Sequence, residues 1–185
     1  MVEKVKLHLG CGTKRLSGWV NIDLQQSQAV DVIDDATILS TVKEESADEI
    51  YASHILEHVS RDKLIPTLVL WCSKLRQGGR LRVAVPDFDS VCNVYLKNRS
   101  IEEVIGLVSG GREGRLDEHK IIFNFDYLKK CLIEAGFESI SRYDWRKTEH
   151  SHVDDYSQAY LPHMQKETGV LMSLNVSAMK KGDNK

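Results

Sequence analysis

The sequence lacks the features that mark membrane, secreted and nucleic-acid-binding proteins. No apolar run approaches the roughly 18–20 residues of a transmembrane helix, and residues 1–6 carry no secretion signal. A net charge of −2 and a pI near 6.4 give no general affinity for nucleic acid or for an anionic membrane. We therefore expect a cytoplasmic protein that acts neither on nucleic acid nor at a membrane.

Cysteine is scarce, and its placement excludes two kinds of small scaffold. The four cysteines, Cys11, Cys72, Cys92 and Cys131, lie far apart and form no Cys-x-x-Cys pair. This usage is typical of the reducing cytosol and argues against a disulfide framework or a zinc knuckle. The 185 residues also contain no repeat, low-complexity tract or linker-like stretch, which predicts a single domain over residues 1–185.

Strand-like and helix-like segments alternate along the chain, which predicts an α/β fold with a mainly parallel sheet. The predicted strands are residues 5–9, 19–24, 29–33, 48–53, 80–85, 137–143 and 169–179. The predicted helices are residues 62–75, which Gly78 and Gly79 close, residues 88–97 and 101–108, and one that Asp126 caps and that ends at Gly136.

A late stretch of 25 residues, 145–169, has no strong periodicity and is rich in histidine and tyrosine. Loops of this length in a compact domain are usually functional or disordered. A lid over a second substrate and a plain surface loop are both open interpretations. Its aromatic and histidine side chains are His150, His152, Tyr156, Tyr160 and His163. In a separate polar loop, Arg112 and Arg115 either contact an anionic substrate or belong to a solvated turn.

A short glycine turn near the N-terminus is the most informative motif. Leu9-Gly10-Cys11-Gly12 ends a hydrophobic strand, and Asp23 ends the next strand after residues 13–22. The glycines let the backbone approach a ligand closely, and the carboxylate can accept both ribose hydroxyl protons. A dinucleotide-binding unit needs about 20 residues here, including a helix whose N-terminus binds the pyrophosphate. The shorter connection favours a nucleoside cofactor without phosphate, and S-adenosylmethionine is the obvious one.

Five motifs in order carry a resemblance to a known family. They are LHLGCG at 7–12, GWVNID at 18–23, SHILEH at 53–58, LRQGGRL at 75–81 and VPDF at 85–88. In this order they resemble the small class I S-adenosylmethionine-dependent methyltransferases, of the type 11-like kind, and most of all a compact branch associated with bacterial polysaccharide and sugar modification. The resemblance implies a Rossmann-like, mostly parallel sheet of seven strands in the order 3-2-1-4-5-7-6. The last strand should be antiparallel, and the helix between strands one and two should be missing or very short.

The resemblance and the strand ends together predict the cofactor site. Gly10 and Gly12 should pass under the methionine end, Asp23 should hold the ribose, and Asp35 should meet the adenine amino group, with Asp34 an open alternative. The full set of predicted cofactor-binding residues is Leu9, Gly10, Cys11, Gly12, Asp23, Leu24, Asp35, Ala36, Ser53, His54 and His58. The cofactor is expected to be S-adenosyl-L-methionine, with S-adenosylhomocysteine as product.

Three residues are candidates for catalysis. Methyl transfer is a displacement on an already activated sulfonium, so positioning supplies up to roughly 7–11 kcal/mol of the barrier reduction. A general base is needed only if the acceptor loses a proton early, as a sugar hydroxyl would. The candidates are His119, which the resemblance favours, Asp87 after the fifth strand, and His54 near the reaction centre. A surface-loop histidine and a helix-capping aspartate are the plainer interpretations of the first two.

His54, Glu57 and His58 fall at positions i, i+3 and i+4, on one face of a helical turn. That spacing could ligate a metal, with His119 as a distant fourth group. The Leu-Glu-His trio also occurs widely in metal-free relatives, where such a histidine is a packed supporting group. The sequence therefore favours packed histidines, and no metal is predicted.

The sequence as a whole predicts a methyltransferase that uses S-adenosylmethionine to methylate a hydroxyl or amine of a small-molecule or saccharide acceptor. A non-catalytic cofactor-binding or assembly module with the same fold is one alternative, because Lys14 stands where the fuller glycine turn has a third glycine. A nicotinamide-dependent oxidoreductase is the other, although the missing helix speaks against it.

Overall fold

Seven strands form one mixed sheet in the computed structural model, which describes residues 4–111, 117–163 and 165–182. Two more strands form a separate pair, so the described residues contain nine strands. In chain order they are β1 (Lys6–Leu9), β2 (Val20–Asp23), β3 (Val32–Ile33), β4 (Ala47–Ser53), β5 (Leu75–Pro86), β6 (Phe137–Arg142), β7 (Tyr160–Leu161), β8 (Val170–Leu171) and β9 (Ser173–Lys180). The sheet order is β3-β2-β1-β4-β5-β9-β6, and β9 runs antiparallel to both of its neighbours. The predicted order and the antiparallel last strand are confirmed. Strands β7 and β8 form a separate antiparallel pair.

Four α-helices accompany the strands in the described ranges: α1 (Leu64–Lys74), α2 (Phe88–Asn98), α3 (Ile105–Ser109) and α4 (Phe125–Glu134). The connection between β1 and β2 contains turns and no helix over residues 10–19, all of which are described. This matches the predicted loss of the first helix. Among the helices of the described ranges, none combines the length and the apolarity that a membrane crossing requires.

One face of the sheet carries the main hydrophobic core. Leu7 and Leu9 of β1 alternate with a polar residue, so both point to this face, and Ile50 of β4 joins them. Helices α1 and α4 cover the face with side chains such as Trp71 and Leu128, all of which are buried. The helical spacing of apolar residues in the sequence therefore corresponds to the stripe that each helix buries.

The opposite face of the sheet is polar, and two irregular segments cover it. His8, Asn21 and Tyr51 point to this side from β1, β2 and β4, and all three are buried. The β1–β2 connection contributes Leu16 and Trp19, which pack against Tyr51 in a second small cluster. The late segment, residues 145–160, completes the cover by hydrogen bonds and ring contacts rather than by an apolar helix stripe. A distinct cluster joins α2 and α3 to Met172 and to Leu161 of β7.

The carboxamide of Asn21 holds the compressed β1–β2 connection together. Its oxygen accepts hydrogen bonds from the Leu16 amide at 2.9 Å and from Nδ1 of His8 at 3.1 Å. Its nitrogen faces the carbonyls of Leu16 and Trp19, both at 3.1 Å, and Oδ2 of Asp31 at 2.9 Å. Asn21 is fully buried. Its side chain therefore pairs backbone amide and carbonyl groups of this connection that have no helical hydrogen bonds.

Replacement of Asn21 by alanine is expected to lower the free energy of unfolding by about 2–3 kcal/mol, because it leaves several buried polar groups without partners. In a chain of this length that corresponds to a fall in Tm of roughly 4–12 °C. Differential scanning calorimetry measures the shift. The matched control is Asn98→Ala at the exposed end of α2, where a change below about 0.5 kcal/mol is expected. Equal shifts for the two variants would contradict this role of Asn21.

Two sequence predictions about element ends are wrong. Helix α1 ends at Lys74, because Leu75 already pairs with Ala47 in the sheet. Gly78, at φ +68°, and Gly79 therefore lie inside β5, next to a shift in the β4–β5 register, and do not close the helix. Asn124, and not Asp126, caps α4: its side-chain oxygen accepts the amide hydrogen of Tyr127 at 3.0 Å.

Three further segments differ from the predicted ones in extent. The predicted strand 29–33 is reduced to the two residues of β3, Val32–Ile33. Helix α3 begins at Ile105, since residues 101–104 form a turn. The predicted last strand, 169–179, consists of β8 and β9, which Met172 separates. The amide of Met172 donates to the carbonyl of Ala159 at 2.8 Å, so the chain leaves the sheet there to reach the late segment.

Candidate functional site

A cavity of about 740 Å³ opens at the carboxyl ends of β1 and β4. The residues that follow β1 (Gly10–Lys14) and the end of β4 (Ser53 and His54) form one wall. The start of α3 and the late segment between Asp154 and Leu161 form the other. The volume lies within the range of about 300–1,000 Å³ that small-molecule sites occupy. Parallel strands of open α/β sheets bind their ligands at this end.

The glycine turn after β1 is shaped for a ligand. Gly10 and Gly12 adopt φ values of +61° and +54°, a region that disfavours other residues. A Cβ atom at Gly10 would lie 1.8 Å from Cδ1 of Ile55, whereas one at Gly12 would meet nothing within 4 Å. The turn therefore presents bare backbone and open space to the cavity at Gly12.

The carboxylate of Asp23 is anchored to this turn. Its Oδ2 accepts the amide hydrogen of Gly12 at 2.8 Å, and its Oδ1 accepts that of Gln25 at 2.9 Å. Each oxygen keeps a second lone pair for a hydroxyl donor. Asp23 does not itself line the cavity but stands directly behind the glycine that does. The arrangement couples the acid to the turn that the sequence motif pairs with it.

The structure separates the predicted cofactor-binding residues into two groups. Gly10, Cys11, Gly12, Ser53 and His54 line the cavity. Leu9 lies in the hydrophobic core, and Asp23, Leu24, Asp35, Ala36 and His58 are not among the lining residues. Burial raises the pKa of the Cys11 thiol to about 11, so this side chain is neutral and unreactive at physiological pH.

Asp34 and Asp35 have different surroundings. The buried carboxylate of Asp34 accepts hydrogen bonds from the amide and hydroxyl of Thr41, at 2.8 and 2.7 Å, and from the amide of Asp35. Burial opposes ionisation of Asp34, but these hydrogen bonds prevail and lower its pKa. Asp34 is therefore occupied in shaping the turn. Asp35 accepts hydrogen bonds from the amide and hydroxyl of Thr37 through Oδ1, both at 2.7 Å, and its Oδ2 has no hydrogen-bond donor among the described residues.

His54 occupies an unusual position at the cavity wall. Its backbone has φ +55°, a conformation rare outside glycine and a common sign of a functional constraint. Nδ1 lies 3.0 Å from Oε1 of Glu57, and Nε2 lies 3.3 Å from the hydroxyl of Ser173. The ring of Tyr156 stands 5.4 Å away. A buried carboxylate thus faces one ring nitrogen, and a serine hydroxyl faces the other.

Asp87 has a structural environment. Its Oδ1 accepts the amide hydrogen of Asp89 at 3.2 Å and so caps α2, and its Oδ2 pairs with Arg142 at 3.0 Å. The side chain is buried and does not line the cavity. The helix-cap interpretation is the one that fits these contacts.

His119 lies away from the cavity, beside His58 and Glu57. Its ring centroid is 4.9 Å from that of His58, and its Nδ1 is 3.1 Å from the carbonyl of Leu107. Burial lowers the pKa of His119, which favours the neutral ring. The spacing in the sequence predicted that Glu57 and His58 share a face, but the approach of His119 is a tertiary contact.

The late segment serves two surfaces at once. Tyr156, Tyr160 and His163 line the cavity, as the lid interpretation requires. His150 instead lies in the polar face of the sheet, with ring centroids 4.4 Å from Tyr51 and 5.7 Å from Trp19, and is unavailable to an acceptor. Arg112 and Arg115 lie outside the described residues.

Burial lowers the pKa of His150 from 6.5 to about 4, so the folded chain holds this ring neutral. The unfolded chain binds more protons in that interval, and stability should fall as the pH decreases through it, by at most about 1.4 kcal/mol per pH unit. We expect a lower Tm at pH 5 than at pH 6, and a smaller difference in His150→Phe.

The control for this pH effect is His152→Phe at an exposed position of the same segment. That variant should keep the full pH dependence of the parent chain. A His150→Phe variant whose Tm changes between pH 6 and pH 5 as much as that of the parent would contradict the assignment.

Comparison with solved structures identifies the fold that carries this site. No protein-family model and no curated protein matches the chain. A solved S-adenosylmethionine-dependent methyltransferase from Thermotoga maritima superposes with a TM-score of 0.62 at 16% identity, over 98% of this chain and 84% of that one. One from Methanosarcina mazei superposes with a TM-score of 0.59 at 14% identity, over 99% and 95%.

A third solved structure contains ligands. The 1,6-didemethyltoxoflavin-N1-methyltransferase from Burkholderia thailandensis, with bound 1,6-didemethyltoxoflavin and S-adenosylhomocysteine, superposes with a TM-score of 0.58. It shares 16% identity over 96% of this chain and 71% of its own. At such identities the likeness establishes the fold, which is the Rossmann-like fold of the S-adenosylmethionine-dependent methyltransferases.

Proposed function

We propose that the chain is an S-adenosylmethionine-dependent methyltransferase. One observation carries the proposal: the glycine turn that borders the cavity has its Gly12 amide bonded to the carboxylate of Asp23 at 2.8 Å. Bare backbone for a close approach and an acid with free lone pairs are the two features that a nucleoside ligand needs. They occur together at the end of the sheet where ligands of this fold class bind.

In this proposal the cofactor spans the carboxyl ends of β1 and β2. Asp23 takes the ribose hydroxyls, Asp35 the adenine amino group, and the backbone of Gly10–Gly12 the methionine end. Ser53 and His54 then border the methyl group from β4. The cavity wall formed by Tyr156 and the start of α3 is left for the acceptor.

A dinucleotide fits the same surface less well. Its pyrophosphate requires unpaired amides at a helix N-terminus after the first strand. Residues 10–19 form turns instead, and the Gly12 amide already donates to a carboxylate, which repels phosphate. This arrangement argues for a sulfonium nucleoside over a nicotinamide cofactor.

We assign the acceptor side to His54 rather than to His119 or Asp87, because only His54 lines the cavity. S-adenosylmethionine, when bound, would supply an activated methyl group to a lone pair of the acceptor oxygen or nitrogen, and the electrons of the sulfur–carbon bond would return to sulfur. The acceptor proton passes to the imidazole of His54, and the carboxylate of Glu57, with Oε1 3.0 Å from Nδ1, stabilises the positive charge of the ring. The exposed ring of Tyr156 offers an aromatic face on which a sugar ring or a flat acceptor can stack.

Asp23→Ala is expected to weaken S-adenosylhomocysteine binding at least tenfold, because one charge-assisted hydrogen bond is worth about 1.5–3 kcal/mol. Isothermal titration calorimetry measures the dissociation constants. Asp62→Ala, an exposed carboxylate outside the cavity wall, is the control and should bind like the parent chain. The absence of any binding by the parent chain at millimolar ligand would falsify the proposal.

His54→Asn should lower kcat by about 10²–10⁴-fold, the range for loss of a general base. Asparagine tolerates the positive φ at this position, so the cofactor dissociation constant should stay within about twofold. The assay follows S-adenosylhomocysteine release over a panel of hydroxyl and amine acceptors, with His119→Asn as the comparison. Methyl transfer unaffected by His54→Asn but abolished by His119→Asn would reverse the assignment. Cofactor binding with no transfer to any acceptor would favour a non-catalytic module.

A further inference from the structure

Glu57, His58 and His119 form a cluster. The methyl-transfer proposal uses Glu57 alone of the three, as the partner of His54. Each offers one ligand atom, and the three atoms lie within 4.8 Å of one another. Small side-chain movements bring such atoms to the roughly 2.0–2.2 Å that zinc requires from imidazole nitrogen and carboxylate oxygen. Two histidines and one carboxylate are a common donor set for divalent transition metals.

The carboxylate of Glu57 has a charge contact with His54 but lacks the hydrogen-bond partners that its burial demands. Its side chain is 0% exposed, and neither oxygen has a hydrogen-bond partner among the described residues. Oε1 lies 3.0 Å from Nδ1 of His54 but outside hydrogen-bond geometry, and Oε2 has no such neighbour. A buried carboxylate is costly unless it is paired or bound to a metal. The site therefore favours a cation.

The two histidines are prepared to act as ligands. Nδ1 of His58 lies 3.1 Å from the carbonyl of Glu118, and Nδ1 of His119 lies 3.1 Å from the carbonyl of Leu107. A carbonyl only accepts, so each Nδ1 carries the proton and each neutral ring keeps its lone pair on Nε2. Metal-bound histidines usually have this second hydrogen bond, which fixes tautomer and ring orientation.

Backbone hydrogen bonds hold the two halves of the cluster together. The amides of Lys120 and Ile121 both donate to the carbonyl of Glu57, at 2.7 and 3.2 Å. They bind the segment that carries His119 to the single 3-10 turn Leu56–His58. The three donors thus stand on a common backbone frame although they are far apart in the sequence.

We propose that Glu57, His58 and His119 bind one divalent transition-metal ion, with zinc as the best match. The site stands outside the cavity lining, because none of the three residues lines the cavity, whereas His54, 3.0 Å from Glu57, does. The ion satisfies the buried carboxylate and ties residues 117–121 to the 3-10 turn. This role does not depend on the methyltransferase assignment.

The test uses the full chain, dialysed against a chelator and then titrated with Zn²⁺ in the absence of cofactor. We expect elemental mass spectrometry to find one zinc ion per chain. We also expect a rise in Tm of roughly 5–10 °C when the free zinc concentration is about 100 times the dissociation constant. With Co²⁺ as probe, visible absorption should appear without the charge-transfer band of cobalt–thiolate bonds.

Matched variants locate the ion. His119→Ala and, separately, His58→Gln should each weaken Zn²⁺ binding at least tenfold and remove most of the rise in Tm. His152→Ala, an exposed histidine outside the cluster, should bind zinc like the parent chain. Less than 0.1 zinc per chain, a cobalt–thiolate band, or full zinc binding by His119→Ala would each overturn the proposal, whether or not methyl transfer is detected.

Discussion

The hydrogen bonds of the buried Asn21 side chain are the constraint from which much of this structure follows. They hold the β1–β2 connection without a helix, and so leave one face of the sheet without the layer that usually covers it. The chain meets that deficit with polar groups on the strands and with a long segment late in the sequence. The same short connection brings Gly12 and Asp23 together at the cavity.

The bond between Tyr51 and Asp155 shows how the late segment is fastened. The Tyr51 hydroxyl, at the centre of the polar face, donates to Oδ2 of Asp155 at 2.6 Å. Burial raises the pKa of this phenol well above its ordinary value, so it remains a donor at any physiological pH. Asn175 of β9 adds a second anchor through the carbonyl of Ser157, at 2.9 Å. The cavity wall is thereby attached to the sheet by directional bonds.

The family resemblance predicted the strand order. Sequence periodicity predicted most helix positions, because it records which side chains the core must bury. The predicted helix ends were wrong where backbone hydrogen bonds set the boundary. Gly78 lies in β5, because Leu75 already pairs with Ala47 in the sheet. Asn124 caps α4, because it precedes the first helical amides, whereas Asp126 lies within the helix. His150 gave no local signal of its burial, since the surface that covers it is assembled from distant strands.

Residues of the late segment contact both the sheet and the cavity. Asp155 and Ser157 face the sheet, whereas the ring of Tyr156 between them is 71% exposed at the cavity. The cavity lining and the attachments of the fold therefore share one stretch of chain. Under the proposed function, changes at the anchoring positions would alter acceptor binding and stability together, and Tyr156 is the position in this stretch where specificity could evolve at little cost to the fold.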